Sequence, residues 1–234
     1  MRAARAVWAN DLRNIVRDRT VAVLLGVPLL LVAVLRFGVP LLERQVPGAA
    51  DYRPAMLALF CAVSGLLPAL MMSFIMLDER DQDLTTAFRV LPIAAWRFLA
   101  YRLVTVAVLG LLFALLVIRG SGLVSYSPPV VLLLGALCAL GGPLGTLITV
   151  SMADNKIEGL TVFKGLFFLA AVPAASSALP GAWGRVLGVL PGYWTYRAFE
   201  IREGAGLAAV CAVSVVFHVA VTAAAARRFR RRAL

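Results

Sequence analysis

Six runs of apolar residues recur along this chain, and each meets or approaches the roughly 20 residues that a helix needs to cross the hydrocarbon of a bilayer. They cover about 20–42, 55–77, 98–118 and 130–153, a stretch opening near 161, and 205–226. The second run carries no charge, the first contains Arg36, and the third holds Arg102 near its start. A soluble core cannot absorb such runs. Of 234 residues, 62% are hydrophobic, against about 45–50% apolar in an ordinary soluble domain. The expected fold class is all-α and integral to a membrane, because a helix satisfies its own backbone groups inside lipid.

The expected organisation is a leader over 1–19, a six-span transmembrane domain over 20–226, and a basic tail over 227–234. The charged leader, and the lack of an A-x-A pattern between the start of the apolar run near Thr20 and Arg36, argue for a retained leader rather than a cleaved signal peptide. Within it, Trp8, Leu12, Ile15 and Val16 fall on one helical face, with Asn10, Asp11, Arg13, Asn14 and Arg17 opposite. That pattern predicts an amphipathic helix lying in the inner interface, anchored by Trp8, Leu12, Arg13, Ile15 and Arg17 against anionic lipid.

The formal charge is +11. The bases crowd beside apolar runs, which marks membrane orientation rather than nucleic-acid binding. With the N-terminus inside, inner segments hold five arginines in the leader, four from Arg80 to Arg102, Lys156, Lys164 and five in the tail, sixteen altogether. Outer segments hold seven. Both termini are therefore expected in the cytoplasm.

Between the fifth and sixth runs, Pro173, Pro180 and Pro191 interrupt a segment crowded with Trp183, Tyr193, Trp194 and Tyr196. Proline breaks helices and these aromatics favour the membrane–water interface, so short, broken, half-inserted helices are expected on the outer side. In the fourth run Gly141 and Gly145 form a GxxxG pair, a surface for close helix packing.

The inner connection FIMLDERDQDLTTAFRVLP is the most unusual stretch. Asp78, Glu79, Asp81 and Asp83 lead into Leu84, Phe88 and Leu91 at helical spacing, and Pro92 follows. The pattern predicts a short helix with acids near its start, where the helix dipole favours them, stopped by proline. A merely membrane-lying turn fits poorly, since acids avoid an anionic leaflet. A calcium loop fits poorly too, because Arg80 sits amid the acids and the required glycine is missing. A protein-docking helix fits best.

These residues carry a resemblance. The strings LDERDQDLTTAFRVLPIAAWRFLAYRL and LPGYWTYRAFE, with the leader, six spans and broken outer segment, resemble the exporter-type ABC transporter permeases, in particular small drug- and antibiotic-export permeases of high-GC bacteria. The resemblance implies a multi-pass subunit of the bacterial plasma membrane that expels a hydrophobic or amphipathic compound. The segment from Asp78 to Pro92 would be the coupling helix, with Leu84, Phe88 and Leu91 filling a groove of a separate cytoplasmic ATPase dimer. Asp78, Glu79, Asp81 and Asp83 would pair with ATPase arginines, and Arg89 and Pro92 would belong to the same contact. The connection MADNKIEGL, with Asp154, Lys156 and Glu158, would make a second contact. A second permease half, the same chain or a relative, would complete the pathway. Pro173, Pro180, Trp183, Pro191, Tyr193 and Trp194 would form an outer gate. ATP and magnesium would belong to the partner, since Lys156 is followed by Ile157 and Lys164 by Gly165, neither matching the phosphate loop G-x-x-x-x-G-K-[ST].

Rival chemistry finds little support. His218 lies in the sixth run and is the one histidine, but Ser151 and Ser64 lack the GxSG setting of a rhomboid-type nucleophile, so no catalytic residue is expected. Arg36 and Lys164 are expected to snorkel toward the interfaces. Cys61, Cys138 and Cys211 have no CxxC spacing, so neither a zinc site nor a disulfide framework is expected. An ion-coupled secondary transporter would show internal repeats or midplane polar sites, and none stands out. A non-transporting membrane anchor subunit is the remaining alternative.

Overall fold

The structure, a computed structural model, describes residues 19–82, 95–177, 179, 184, 186–201 and 204–233. The expected leader helix with Trp8, Leu12, Arg13, Ile15 and Arg17 lies outside the described residues. So do Asp83, Leu84, Phe88, Arg89, Leu91, Pro92, Pro180 and Trp183.

The described residues form helices and contain no strand. Six segments are long and apolar enough to cross a membrane: Val23–Gln45, Ala49–Asp81, Trp96–Ser121, Pro128–Met152, Lys156–Ser177 and Ala205–Arg227. We number these as spans one to six. An even number of crossings places the start of span one and the end of span six at the same end of the bundle, called here the near end. The helix of span six continues into the basic tail, to Ala233.

Span two is the axis of the bundle and the most buried of the six. From Ser64 to Ile75 every residue is buried, because spans three, four and five and the short helix Pro191–Glu200 all pack on it. Apolar side chains gain little by leaving lipid for protein, so close packing decides where such helices meet. The tightest crossing lies at Gly65, where an added Cβ would stand 2.6 Å from the backbone oxygen of Cys138 in span four. A Cβ on Gly110 of span three would stand 3.0 Å from the Gly65 oxygen. Three spans thus cross backbone to backbone at one level.

The core has two layers about this crossing. One joins Leu57, Cys61, Val117, Leu134, Tyr196 and Phe199. The other, toward the near end, joins Leu66, Leu70, Phe74, Val106 and Phe163.

Proline and packing interrupt the spans locally. Span four is two helices, Pro128–Ala139 and Gly141–Met152, meeting at Leu140. Pro143 cannot donate to the Ala139 carbonyl, and its ring crowds that turn. The GxxxG pair faces inward: a Cβ on Gly145 would meet Leu66 at 3.1 Å and Ala69 at 3.4 Å, both in span two. Span one contains a π-helical turn, Val34–Gly38, of the kind that often marks a functional or strained site. It sits beside the far end of span three, where Gly120 packs under Val32. Arg36 in that turn donates from Nη1 to the Gly120 oxygen at 3.1 Å, capping a carbonyl in the last turn of span three rather than simply reaching for water.

Candidate functional site

Charged side chains gather at the near end of spans two to five. The helix of span two runs to Asp81, so Asp78, Glu79 and Asp81 close a long helix instead of opening a short one. At a helix C-terminus the dipole disfavours acids. The helix continues past the apolar run because cations from other segments compensate them.

Glu79 is held by Arg102, one turn and a half inside span three. The guanidinium donates from Nη1 and Nη2 to the two carboxylate oxygens at 2.6 and 2.5 Å. Arg102 is only 1% exposed, so this is a buried, two-pronged ion pair, the geometry in which arginine binds a carboxylate most strongly. Its guanidinium also lies 4.1 Å from the ring centre of Phe98, one turn earlier on the same helix face, in a cation–π contact. Asp78 pairs with Lys156 at 3.0 Å across a more open surface.

Arg80 turns the other way. It donates to the carbonyls of Ala153 at 3.0 Å and Val150 at 3.2 Å, and its Nη1 lies 3.6 Å from an Asp154 oxygen. The last carbonyls of a helix have no partner within it, so Arg80 caps span four from span two. The next helix starts at Lys156, after three connecting residues, with a reciprocal cap. The Asn155 side chain accepts from the Glu158 N–H at 2.9 Å, and Glu158 accepts from the Asp154 N–H and the Asn155 side chain, both at 2.9 Å. This is a variant of the capping box in which the glutamate reaches the N–H one residue before the cap, and the N-x-x-E spacing in ADNKIE was its sequence signal.

The acidic segment and the connection from Asp154 to Glu158 are therefore one body. Asp78, Glu79 and Arg80 tie span two to spans three, four and five through side chains distant in sequence. Asp81 remains exposed beside the start of 83–94, and Asp154 is 93% exposed at its side chain.

The far end is built from the interrupted segment. Span five ends in a 3-10 turn, Val172–Ser177, in which Pro173 is buried. A second 3-10 turn, Leu187–Val189, precedes the helix Pro191–Glu200. Tyr193 and Trp194 meet edge to face with centroids 5.2 Å apart, and Trp194 Nε1 donates to the Gly188 oxygen at 2.9 Å. The helix is plugged into the bundle, with Tyr196 donating to the Ala170 oxygen of span five at 2.9 Å. Tyr126, between spans three and four, donates to the Phe199 oxygen at 2.7 Å. Ser177 donates to Glu200 at 2.7 Å, and Arg197 pairs with the same carboxylate. Residue composition alone marked the interruption; the two tyrosine tethers depend on neighbours more than 20 positions away.

His218 contacts no serine nucleophile. Its Nδ1 lies 2.9 Å from the Ser214 oxygen one turn earlier, and the Ser214 hydroxyl meets Thr195 at 2.9 Å. This joins span six to the plugged helix.

A bundle of six helices, each long and apolar enough to cross a bilayer, is a multi-pass membrane protein. The family model described as "Fluoroquinolones export permease protein Rv2686c-like" matches residues 11–226, and the chain belongs to that family of export permeases. It is 28% identical over 242 residues to the fluoroquinolones export permease protein Rv2686c of Mycobacterium tuberculosis (strain ATCC 25618 / H37Rv), covering 98% of this chain and 94% of the relative. The fluoroquinolones export permease protein MT2760 of Mycobacterium tuberculosis (strain CDC 1551 / Oshkosh) matches at the same identity and coverage. No solved structure matches the chain.

Proposed function

We propose that this permease is the membrane half of an ABC exporter that moves fluoroquinolone-like drugs out of a bacterial cell. ATP, with magnesium, is hydrolysed on a separate cytoplasmic ATPase dimer. The observation that carries the reading is the match to export permeases along nearly the whole chain. The near end is the cytoplasmic face, as the excess of bases there requires.

The ATPase docks on that face. Leu84, Phe88 and Leu91, with Arg89 and Pro92, enter its groove, and the Asp154–Glu158 connection rests beside it. Asp81 and Asp83 meet ATPase arginines, with Asp154 at the edge of the contact, whereas Asp78 and Glu79 are held within the chain by Lys156 and Arg102 and Asp154 lies against Arg80. Movement of the docked helix is transmitted through the Glu79–Arg102 and Arg80–Val150 links to spans three and four. A second permease half completes the pathway. Pro173, Pro180, Trp183, Pro191, Tyr193 and Trp194 form the outer gate, which opens when the plugged helix Pro191–Glu200 shifts.

The test is co-purification in mild detergent of tagged wild type beside a Phe88→Asp, Leu91→Asp double variant. An ATP-hydrolysing subunit that accompanies wild type and is lost from the folded variant supports the reading. Wild type that brings down no ATPase overturns it.

A further inference from the structure

We propose that Lys164 in span five is the anchor for the carboxylate of the exported drug, so that the cargo is bound as a planar aromatic acid; this rests on the export reading above. Among the described residues, the charges lying more than one turn inside a span are Arg36, Arg53, Arg102 and Lys164. Arg36 has the Gly120 carbonyl, Arg53 has Glu43 and Arg102 has Glu79. Lys164 has no carboxylate or carbonyl partner among the described residues. It stands eight residues beyond Lys156, about 12 Å along the helix from the near end at 1.5 Å per residue. A charged side chain at that depth is costly to leave against hydrocarbon and marks a ligand pathway by default.

The face that bears Lys164 is open. Thr161, Lys164, Gly165 and Phe168 are all exposed, and they share one side of the helix by their three- and four-residue spacing. Phe168 is 74% exposed. A Cβ on Gly165 would meet nothing within 4 Å. A cation, a gap and an aromatic ring thus stand side by side, the parts needed to hold a flat ring carrying an anionic edge.

Among the described residues, no acid that a second copy of the chain could bring to this face lies deep inside a span. The described acids, Glu43, Asp51, Asp78, Glu79, Asp81, Asp154, Glu158 and Glu200, all lie within about one turn of a span end or in the connections. Each of them is nearer to a span end than Lys164 is. The missing negative charge comes from the cargo, and fluoroquinolones are planar aromatic carboxylic acids.

The experiment uses membrane vesicles carrying the permease with its ATPase. It follows ATP-dependent transport of norfloxacin and of norfloxacin methyl ester, which lacks the carboxylate. Lys164→Gln is expected to raise the half-saturating concentration of norfloxacin by about 10-fold or more, the scale of one lost charge-assisted hydrogen bond. Ester transport stays at the wild-type level, which shows the variant is folded and coupled, and Lys164→Arg keeps norfloxacin transport near wild type. Equal handling of the acid by wild type and Lys164→Gln overturns the assignment. So does equal loss of acid and ester, which would place Lys164 on lipid phosphate as a helix anchor. Wild type that hydrolyses ATP but exports neither compound overturns the export reading, and the assignment with it.

Discussion

Glu79 and Arg102 face each other between the near ends of spans two and three, joined by hydrogen bonds of 2.5 and 2.6 Å. Glu79 belongs to the acidic stretch, yet its partner is the arginine at the start of the next span. Removing one member of a buried pair strands the other charge, at a cost of about 3–5 kcal/mol. Glu79→Gln and Arg102→Met should each lower the thermal stability of the detergent-solubilised protein sharply. The double variant should lose less than the sum of the two, because neither charge is then stranded. Additive losses would show that the pair is not coupled.

Gly65→Ala should destabilise by about 1–3 kcal/mol, as overpacking does, because the new methyl would press on the Cys138 carbonyl at 2.6 Å. Gly165→Ala, on an open face, should leave stability unchanged or slightly raised. Thermal unfolding of the two variants side by side checks both signs.

Arg80→Ala frees the carbonyls of Val150 and Ala153 and should loosen the turn between spans four and five. Hydrogen exchange should accelerate from Ala153 to Glu158 while the centre of span two stays protected. Asn155→Ala should add a loss of about 1 kcal/mol by removing the cap.

The sidedness of the bundle is open to direct labelling. Cys61, Cys138 and Cys211 are buried, so the native protein should resist a membrane-impermeant maleimide. Asp51→Cys should then label on intact cells and Asp154→Cys only after the cells are opened. The reverse pattern would invert the orientation.

Six spans were legible because a run of about 20 apolar residues needs no partner to declare itself. The near-end site was legible only in part. Asp78 and Glu79 read as the charged start of a separate short helix because charge signals exit from the membrane. The helix continues through them because Lys156 and Arg102, 78 and 23 residues away, neutralise them. No local window contains such pairings. The GxxxG pair drew attention to Gly141 and Gly145, whereas Gly65, outside any motif, makes the tightest crossing. Arg36 was expected to snorkel; the π turn instead aims it at a carbonyl of span three.

In the proposed mechanism ATP, and not an ion gradient, drives this permease. This is tested most directly by norfloxacin fluorescence in inside-out vesicles carrying the permease and its ATPase, with the proton and sodium gradients collapsed by ionophores. The account predicts drug accumulation that starts on adding ATP with magnesium and is abolished by Phe88→Asp with Leu91→Asp. Accumulation that needs an imposed gradient and ignores ATP would contradict it and make the protein a secondary transporter.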